Sequence, residues 1–407
     1  MKPKYLNIII FIAVLIVIGS LNLIKPEEKV YLQEENRMRS KKPEFTKESF
    51  FSGEYFKAAD DYFADNFIFR EIFISIDKKI SQFKGVNFGE RARIIEYSVA
   101  NVVNYFDKYD PNEKLEDTEW GKILVYNCKA MEINTFNELA AQNYAKAINL
   151  FVSNFPDLNI FSLLVPTQIE FIDEMVYKSL SISQNETIRA VQNKFYDSVI
   201  KVDIWEQFFI HRDEYLFFRT DHHWTQRGAF YAYQVFAELI GEKKPLIEDY
   251  EKTEYYDFVG SLYSVTNAYE LKENPDYIEV FDNKIPHTYK SLQGDILFEG
   301  DKILVNSWLD TKDKYGVFMG GDHPLVKVES QQDIKRNILV IKDSYANAFI
   351  PFLTEIAGNI IVIDPRLFQG SVNDLIKDHE ITDILFINYA LITRQDGYGE
   401  ICSNLLD

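Results

Sequence analysis

The hydrophobic and polar positions divide the chain into segments of different period. Residues 5–24 form an uncharged apolar run rich in isoleucine, valine and leucine. At about 1.5 Å of rise per residue such a run covers the roughly 30 Å hydrocarbon core of a bilayer. Lys2 and Lys4 precede it, as the positive-inside pattern expects of a cytoplasmic N-terminus. An uncleaved transmembrane anchor over 1–24 is the expectation; a cleaved signal peptide is the alternative, because Gly19-Ser20 imitates a small-residue cleavage site. Residues 25–50, polar and carrying Pro26 and Pro43, read as a linker. Between 55 and 83, Phe63, Phe67, Ile74 and Ile80 recur at helical spacing.

Further along, short extended runs at 123–126, 159–165, 199–204 and 215–218 are interleaved with helical patterns at 136–151, 186–195 and 225–239. In the last of these, Ala229, Tyr233, Phe236 and Leu239 make one apolar stripe, and Thr225 stands where a helix cap belongs. Residues 245–335 mix charge, tyrosine and short apolar runs without a clear order. The C-terminal third is regular: strand 337–341, helix 345–357, strand 359–363, helix 366–378 and strand 382–387 make two successive βαβ units. Such units require a parallel sheet with right-handed crossovers. The pattern thus predicts an α/β fold, a parallel sheet flanked by helices.

Composition narrows this reading. With 407 residues the chain exceeds what one compact core usually holds, and the expected division is an anchor or signal at 1–24, a linker at 25–50, and an α/β domain with a helical N-terminal extension and insertions at 51–407. Hydrophobic residues at 46% and aromatics at 15% are ample for a packed core. A net charge of -19 argues against a nucleic-acid partner, which would need a basic face. Cys128 and Cys402 fit either a bacterial envelope protein or a reducing compartment.

Candidate chemistry concentrates in two places. Thr220-Asp221-His222-His223-Trp224 sets a carboxylate beside two of the six histidines, and Lys342-Asp343-Ser344-Tyr345 puts a serine just past the strand 337–341. Asp, His and Ser from two separate turns are the parts of a nucleophilic triad, in which His takes the serine proton and Asp orients His. In an extended segment, residues i and i+2 share a side, so Asp221 and His223 are expected to meet while His222 turns away. Ser344 would lie beyond the carboxyl end of a strand, where open α/β sheets place ligands. A helix starting there would aim N–H groups at a developing oxyanion. The plainer readings are that Ser344 caps a helix and that Asp221 and His223 only pair structurally. The adjacent His222 and His223 with Asp221 resemble part of a metal site, but of the other histidines only His211 is close in sequence and neither an H-E-x-x-H nor a C-x-x-C pattern occurs, so no metal is expected. Ser75-Ile76-Asp77-Lys78 fits S-x-x-K by coincidence, and no G-x-S-x-G elbow is present.

At these residues the chain resembles the bacterial DHHW proteins, whose motif stands here as Asp221-His222-His223-Trp224. These are similar to the alginate O-acetylation proteins, which carry a domain like the SGNH hydrolases. Glu35-Asn36-Arg37, residues 65–70, Val165-Pro166-Thr167, Arg219-Thr220 and Asp343-Ser344-Tyr345 add to the resemblance. It implies an SGNH-hydrolase-like, flavodoxin-like sheet with Asp221, His223 and Ser344 catalytic. Tyr345, Gly320, Gly321 and Asn388 are its oxyanion or substrate candidates, and His222 and Trp224 its structural neighbours. The implied reaction is acetylation of hydroxyls on a cell-envelope polysaccharide, outside the cytoplasmic membrane and without a cofactor, with a membrane-bound acyltransferase supplying acetyl. An esterase would use the same triad with water as acceptor, and a glycan-binding or assembly protein would keep the motif for packing.

Overall fold

The computed structural model describes residues 11–13, 17, 19–22, 31–32, 37–38, 40–70, 72–73, 92–98, 120–293, 296–395 and 397–406. They fall into two compact units, Met1–Arg91 with Val103–Tyr109, and Ala92–Val102 with Asp110–Asp407.

In the first unit, β1 (Tyr31–Leu32) pairs antiparallel with β2 (Arg37–Met38). Helices Lys47–Ser52 and Glu54–Asn66 join at Gly53, whose φ of 87° lies in the left-handed region that glycine enters without a steric cost. Thr46 caps the first helix by accepting the Ser49 N–H at 3.0 Å. The expected helical run 55–83 extends beyond these described elements; residue 71 and residues 74–83, with the S-x-x-K stretch, lie outside the described residues. The N-terminal anchor needs correction. Residues 11–13, 17 and 19–22 are helical, yet among the described residues no helix is long and apolar enough to cross a membrane. The rest of 1–24 lies outside the described residues.

The second unit begins with a small antiparallel sheet, β3 (Arg93–Ser98), β4 (Trp120–Tyr126) and β5 (Lys129–Glu132). The chain then runs through β6 (Asn159–Val165) and β7 (Val199–Lys201), the antiparallel pair β8 (Glu251–Phe258) and β9 (Asp276–Asp282), and β10 (His287–Gln293), β11 (Ile296–Gly300) and β12 (Leu325–Ser330). It ends with β13 (Asn337–Lys342), β14 (Asn359–Ile363) and β15 (Asp383–Tyr389). One eight-stranded sheet has the order β11-β10-β12-β14-β13-β15-β6-β7.

That sheet is mixed, which corrects the parallel sheet expected above. The pairs among β14, β13, β15, β6 and β7 are parallel. The pairs β12–β14, β10–β12 and β10–β11 are antiparallel. The physical reason is visible in the strands themselves. Every residue of β13 is buried, as a strand covered on both faces must be. In β12, by contrast, Val326 and Val328 are buried while Lys327 and Glu329 are not, the half-solvated alternation of an antiparallel strand. Such strands leave no long apolar run, so the order of 245–335 could not be read.

Alternation also divides the core. Ile338, Val340, Ile360, Val362, Leu385 and Ile387 face one side of the sheet, whereas Leu339, Ile341, Ile361, Ile363, Ile384 and Phe386 face the other. Each such side chain contributes about 1.5–3 kcal/mol on burial. Helix Glu138–Asn154 covers the second face with Ala141, Tyr144, Ala145, Ile148 and Phe151, and Asn137 caps it. Helix Gln226–Leu239 covers the first face and is capped by Thr225. The expected helix 345–357 is instead two 3-10 stretches, Ser344–Ala348 and Ile350–Glu355. Pro351 has no N–H to continue an α-helical ladder there.

Candidate active site

The Asp-His-His-Trp segment sits at the bend of a tight return. Thr225 N–H reaches the Leu216 carbonyl at 2.9 Å and Phe218 N–H reaches the His223 carbonyl at 3.3 Å. Gly228 permits this, because a Cβ there would come within 2.5 Å of the Leu216 oxygen. Asp276, on β9, pins the approach to the bend. Its buried carboxylate accepts hydrogen bonds from Thr220 N–H at 2.7 Å, the Thr220 hydroxyl at 2.6 Å, Arg219 N–H at 3.0 Å and the Tyr215 hydroxyl at 2.6 Å.

Within the bend, Asp221 Oδ1 lies 2.6 Å from His223 Nδ1 and accepts the His223 backbone N–H at 3.0 Å. Its Oδ2 accepts the Ser261 N–H at 2.8 Å. Gly260 leaves room for the carboxylate, since a Cβ at that position would stand 2.4 Å from Oδ2. Burial works against ionisation of Asp221, but the His223 and His222 imidazoles and the N–H of Ser261 outweigh it and hold the carboxyl well below the usual carboxylate range. With a carboxylate at Nδ1, His223 carries its proton there and turns a lone pair on Nε2 outward. That Nε2 is 2.8 Å from Ser344 Oγ. The Tyr315 ring stacks on the imidazole at 3.9 Å and 9°, and its hydroxyl donates to the Ser344 carbonyl at 3.0 Å.

His222 does not turn away, as simple alternation had suggested. Residues 219–223 bend rather than extend, and the two imidazole centroids are 3.7 Å apart. His222 Nδ1 is held by Ser261 Oγ at 2.7 Å. Burial, reinforced by His223 alongside and opposed by Asp221, pushes the His222 imidazole down to about 3, so it is neutral at neutral pH. Asp221, His222 and His223 are also the described His, Cys, Asp and Glu residues whose ligating atoms gather within 4.8 Å of one another. Both Asp221 oxygens and both His223 ring nitrogens in that cluster already have protein partners.

Ser344 follows the last residue of β13 by two positions. From 337 to 354 every residue but Ser344 is buried. Asp343 fixes the serine turn: Oδ1 accepts Tyr345 N–H at 2.9 Å, and Oδ2 accepts Tyr389 N–H at 3.0 Å and Asn388 Nδ2 at 3.2 Å. Burial raises the Asp343 carboxyl to about 6 against the pull of Arg366 and these donors. Two bonds latch the turn to the bend across the sequence. Trp224 Nε1 donates to the Tyr345 carbonyl at 2.7 Å, and the Tyr345 hydroxyl donates to the His222 carbonyl. Beneath lies a buried ion cluster in which Lys342 pairs with Asp322 and, at 3.6 Å, with Asp364, while Arg366 reaches Asp322 at 3.1 Å and Asp364 at 2.5 Å.

A model of the DHHW protein family matches residues 112–363. The chain belongs to the DHHW protein family. No curated protein sequence matches it. Among solved structures, a DHHW family protein from Eubacterium siraeum is similar over 70% of this chain and 95% of its own, with 27% identity and a TM-score of 0.63. PatB1 of Bacillus cereus, solved with a sulfonyl adduct, shares the fold over 68% of this chain and 96% of its own, at 19% identity and a TM-score of 0.57.

In this DHHW chain the structure brings Asp221, His223 and Ser344 together, with His222 and Trp224 against them. The other four candidates have their polar groups taken up within the protein. Asn388 is fully buried, donating to Asp343 and, at 2.7 Å, to the Tyr398 hydroxyl, while its Oδ1 accepts the Tyr144 hydroxyl at 2.9 Å. The Tyr345 N–H is taken by Asp343 and the Gly320 N–H by the Gly316 carbonyl at 2.9 Å. The Gly321 N–H reaches the Phe318 carbonyl at 3.4 Å. Gly320 and Gly321 have φ of 77° and 97° and carry the chain through a left-handed turn. Among the described residues the Ser344 N–H has no acceptor. Sequence reasoning missed Tyr315, Gly260, Ser261 and Asp276. All lie in the stretch without a readable period, and none carries a local motif.

Proposed function

We propose that this DHHW chain is a serine acyltransferase that moves an acetyl group onto hydroxyls of an extracytoplasmic envelope polysaccharide. The observation that carries the reading is the unbroken line of hydrogen bonds from Asp221 through His223 to Ser344. Ser344 Oγ attacks the carbonyl of an acetyl ester while its proton passes to His223 Nε2, and the Ser344 N–H is free to meet the oxyanion. The bond to the donor oxygen then breaks, and the imidazolium returns the proton to that leaving group. A sugar hydroxyl next attacks acetyl-Ser344, gives its proton to His223, and the serine oxygen leaves and is reprotonated. Asp221 remains ionised throughout and stabilises the imidazolium. A membrane-bound acyltransferase would supply acetyl from the cytoplasmic side. PatB1 was solved with a sulfonyl adduct, and sulfonyl reagents capture activated nucleophiles, which favours Ser344 as one here.

The test supplies the protein with p-nitrophenyl acetate and purified envelope polysaccharide and follows ester-linked acetyl on the polymer by NMR. The parent chain is expected to acetylate the polymer and Ser344→Ala to leave it unmodified. Acetate release with no polymer acetylation would make the chain an esterase. Equal polymer acetylation by parent and Ser344→Ala would remove the serine mechanism.

A further inference from the structure

Tyr315 takes no part in the proton transfers, yet it touches both partners of the reactive pair. Its ring lies over the His223 imidazole at 3.9 Å and 9°, and its hydroxyl donates to the Ser344 carbonyl at 3.0 Å. The contact is built into the fold. Tyr315 belongs to a 3-10 turn, Lys314–Val317, tied down on both sides: Val305 N–H reaches the Val317 carbonyl at 2.8 Å, and Gly320 N–H reaches the Gly316 carbonyl at 2.9 Å. Trp308 packs onto Gly316 so closely that a Cβ there would stand 2.4 Å from the indole. Phe218 and Phe318 meet the Tyr315 ring edge-to-face at 6.2 and 5.3 Å. These contacts hold it parallel to the imidazole.

What the ring does there follows from its charge distribution. The face of an aromatic ring is negative and attracts a cation lying over it within about 6 Å. His223 becomes such a cation when it takes the Ser344 proton, in a place nearly closed to water, with His223 3% and Tyr315 5% exposed. Asp221 answers the new charge at Nδ1, and the Tyr315 face answers it across the ring plane. The phenol itself stays neutral, because burial and the carboxylates of Asp221, Asp322 and Asp343 push it well above its ordinary range. We infer that Tyr315 is a positioning residue that acts through His223, its ring face stabilising the imidazolium formed as Ser344 is acylated. This rests on the serine-acylation reading above. Because the attraction gains strength only when the imidazole is charged, it lowers the barrier rather than tightening donor binding. Filling space alone would ask only for bulk at this position.

Single-turnover acetylation of the full chain by p-nitrophenyl acetate tests the inference. In that step Ser344 Oγ bonds to the acetyl carbon, the bond to nitrophenolate breaks, and the serine proton rests on His223. The rate of acetyl-Ser344 formation is read by mass spectrometry at saturating donor. Tyr315→Phe keeps the ring face and loses only the hydroxyl, and is expected to keep most of the parent rate. Tyr315→Leu is expected to lose about tenfold. A ring-fluorinated phenylalanine at the same position keeps the shape of the phenylalanine variant but draws charge from the face, and its rate is expected to fall towards the leucine level. That comparison decides the matter even if Tyr315→Leu fails to fold. Equal rates in Tyr315→Phe and its fluorinated form, or a loss in Tyr315→Phe as large as in Tyr315→Leu, overturns the role of the ring face. A parent never acetylated on Ser344 overturns the serine mechanism and this inference together. A parent acetylated there, with variants indifferent to fluorination, overturns this inference alone.

Discussion

Two buried carboxylates flank Ser344, and their acidities are shifted in opposite directions. Asp221 lies at the loop bend and Asp343 at the strand end, with similar burial at 6% and 2% exposure. Burial alone would raise both. Asp221 is beside two imidazoles and stays well below the usual carboxylate range, whereas Asp343 has mainly backbone and amide N–H groups and the Arg366 charge around it and rises to about 6. At Asp343 the Arg366 charge and the N–H donors do not offset desolvation, whereas at Asp221 the adjacent imidazoles do. In the proposed mechanism the two groups have separate work: Asp221 would be a standing anion for the imidazolium, while Asp343 holds the serine turn through Tyr345, Tyr389 and Asn388.

The largest expected effect that sharpens this contrast is on Asp221. Asp221→Asn keeps the shape but cannot hold the Nδ1–H tautomer of His223, and should cost about 10³–10⁴-fold in acyl-transfer rate in protein that is still folded at the assay temperature. Near-parent turnover in a folded Asp221→Asn protein would erase the distinction. The smaller effect concerns Asp343 and is read in stability. An unfolded Asp loses its proton near pH 4, while folded Asp343 keeps it to about 6. Between those values the native state binds more protons than the unfolded chain, so stability falls as pH rises through the window, by about 3 kcal/mol at most. Asp221 has the reverse sign, its contribution being present above pH 4 and lost below it. Other groups slope the curve as well, His222 upward and Asp313 downward, so the readout is a difference: in denaturant titrations at pH 4, 5 and 6 the stability of the parent relative to Asp343→Asn should decline as pH rises. Parallel pH profiles in parent and Asp343→Asn would assign the carboxyl shift to other groups.

How much of this could be read from the sequence depends on what each residue's role requires. β13 and β15 were readable because strands buried on both faces are uniform apolar runs, and Ser344 follows from the end of one. The pairing of Asp221 with His223 was accessible from their spacing, but the place of His222 was not, because the backbone bends where alternation assumes extension. The antiparallel β10 and β12 alternate buried and solvated positions over short spans, Gly260 follows β8, Asp276 opens β9 and Tyr315 lies in a short turn before β12, so these three left no periodic signal. Their roles are tertiary: a ring stacked on an imidazole, a missing Cβ, and a carboxylate collecting donors from Tyr215, Arg219 and Thr220. Pro351 was legible as a residue, and its effect on the expected helix 345–357 could have been drawn from it.

The central claim is that Ser344 is a nucleophile activated by His223. Intact-mass and peptide mass spectrometry after brief exposure to a sulfonyl fluoride tests it most directly. The account predicts one adduct per chain, located on Ser344, formed at least 10²-fold more slowly in His223→Ala, where no base takes the serine proton. Modification at another residue with Ser344 untouched, or equal labelling of Ser344 with and without His223, would contradict it.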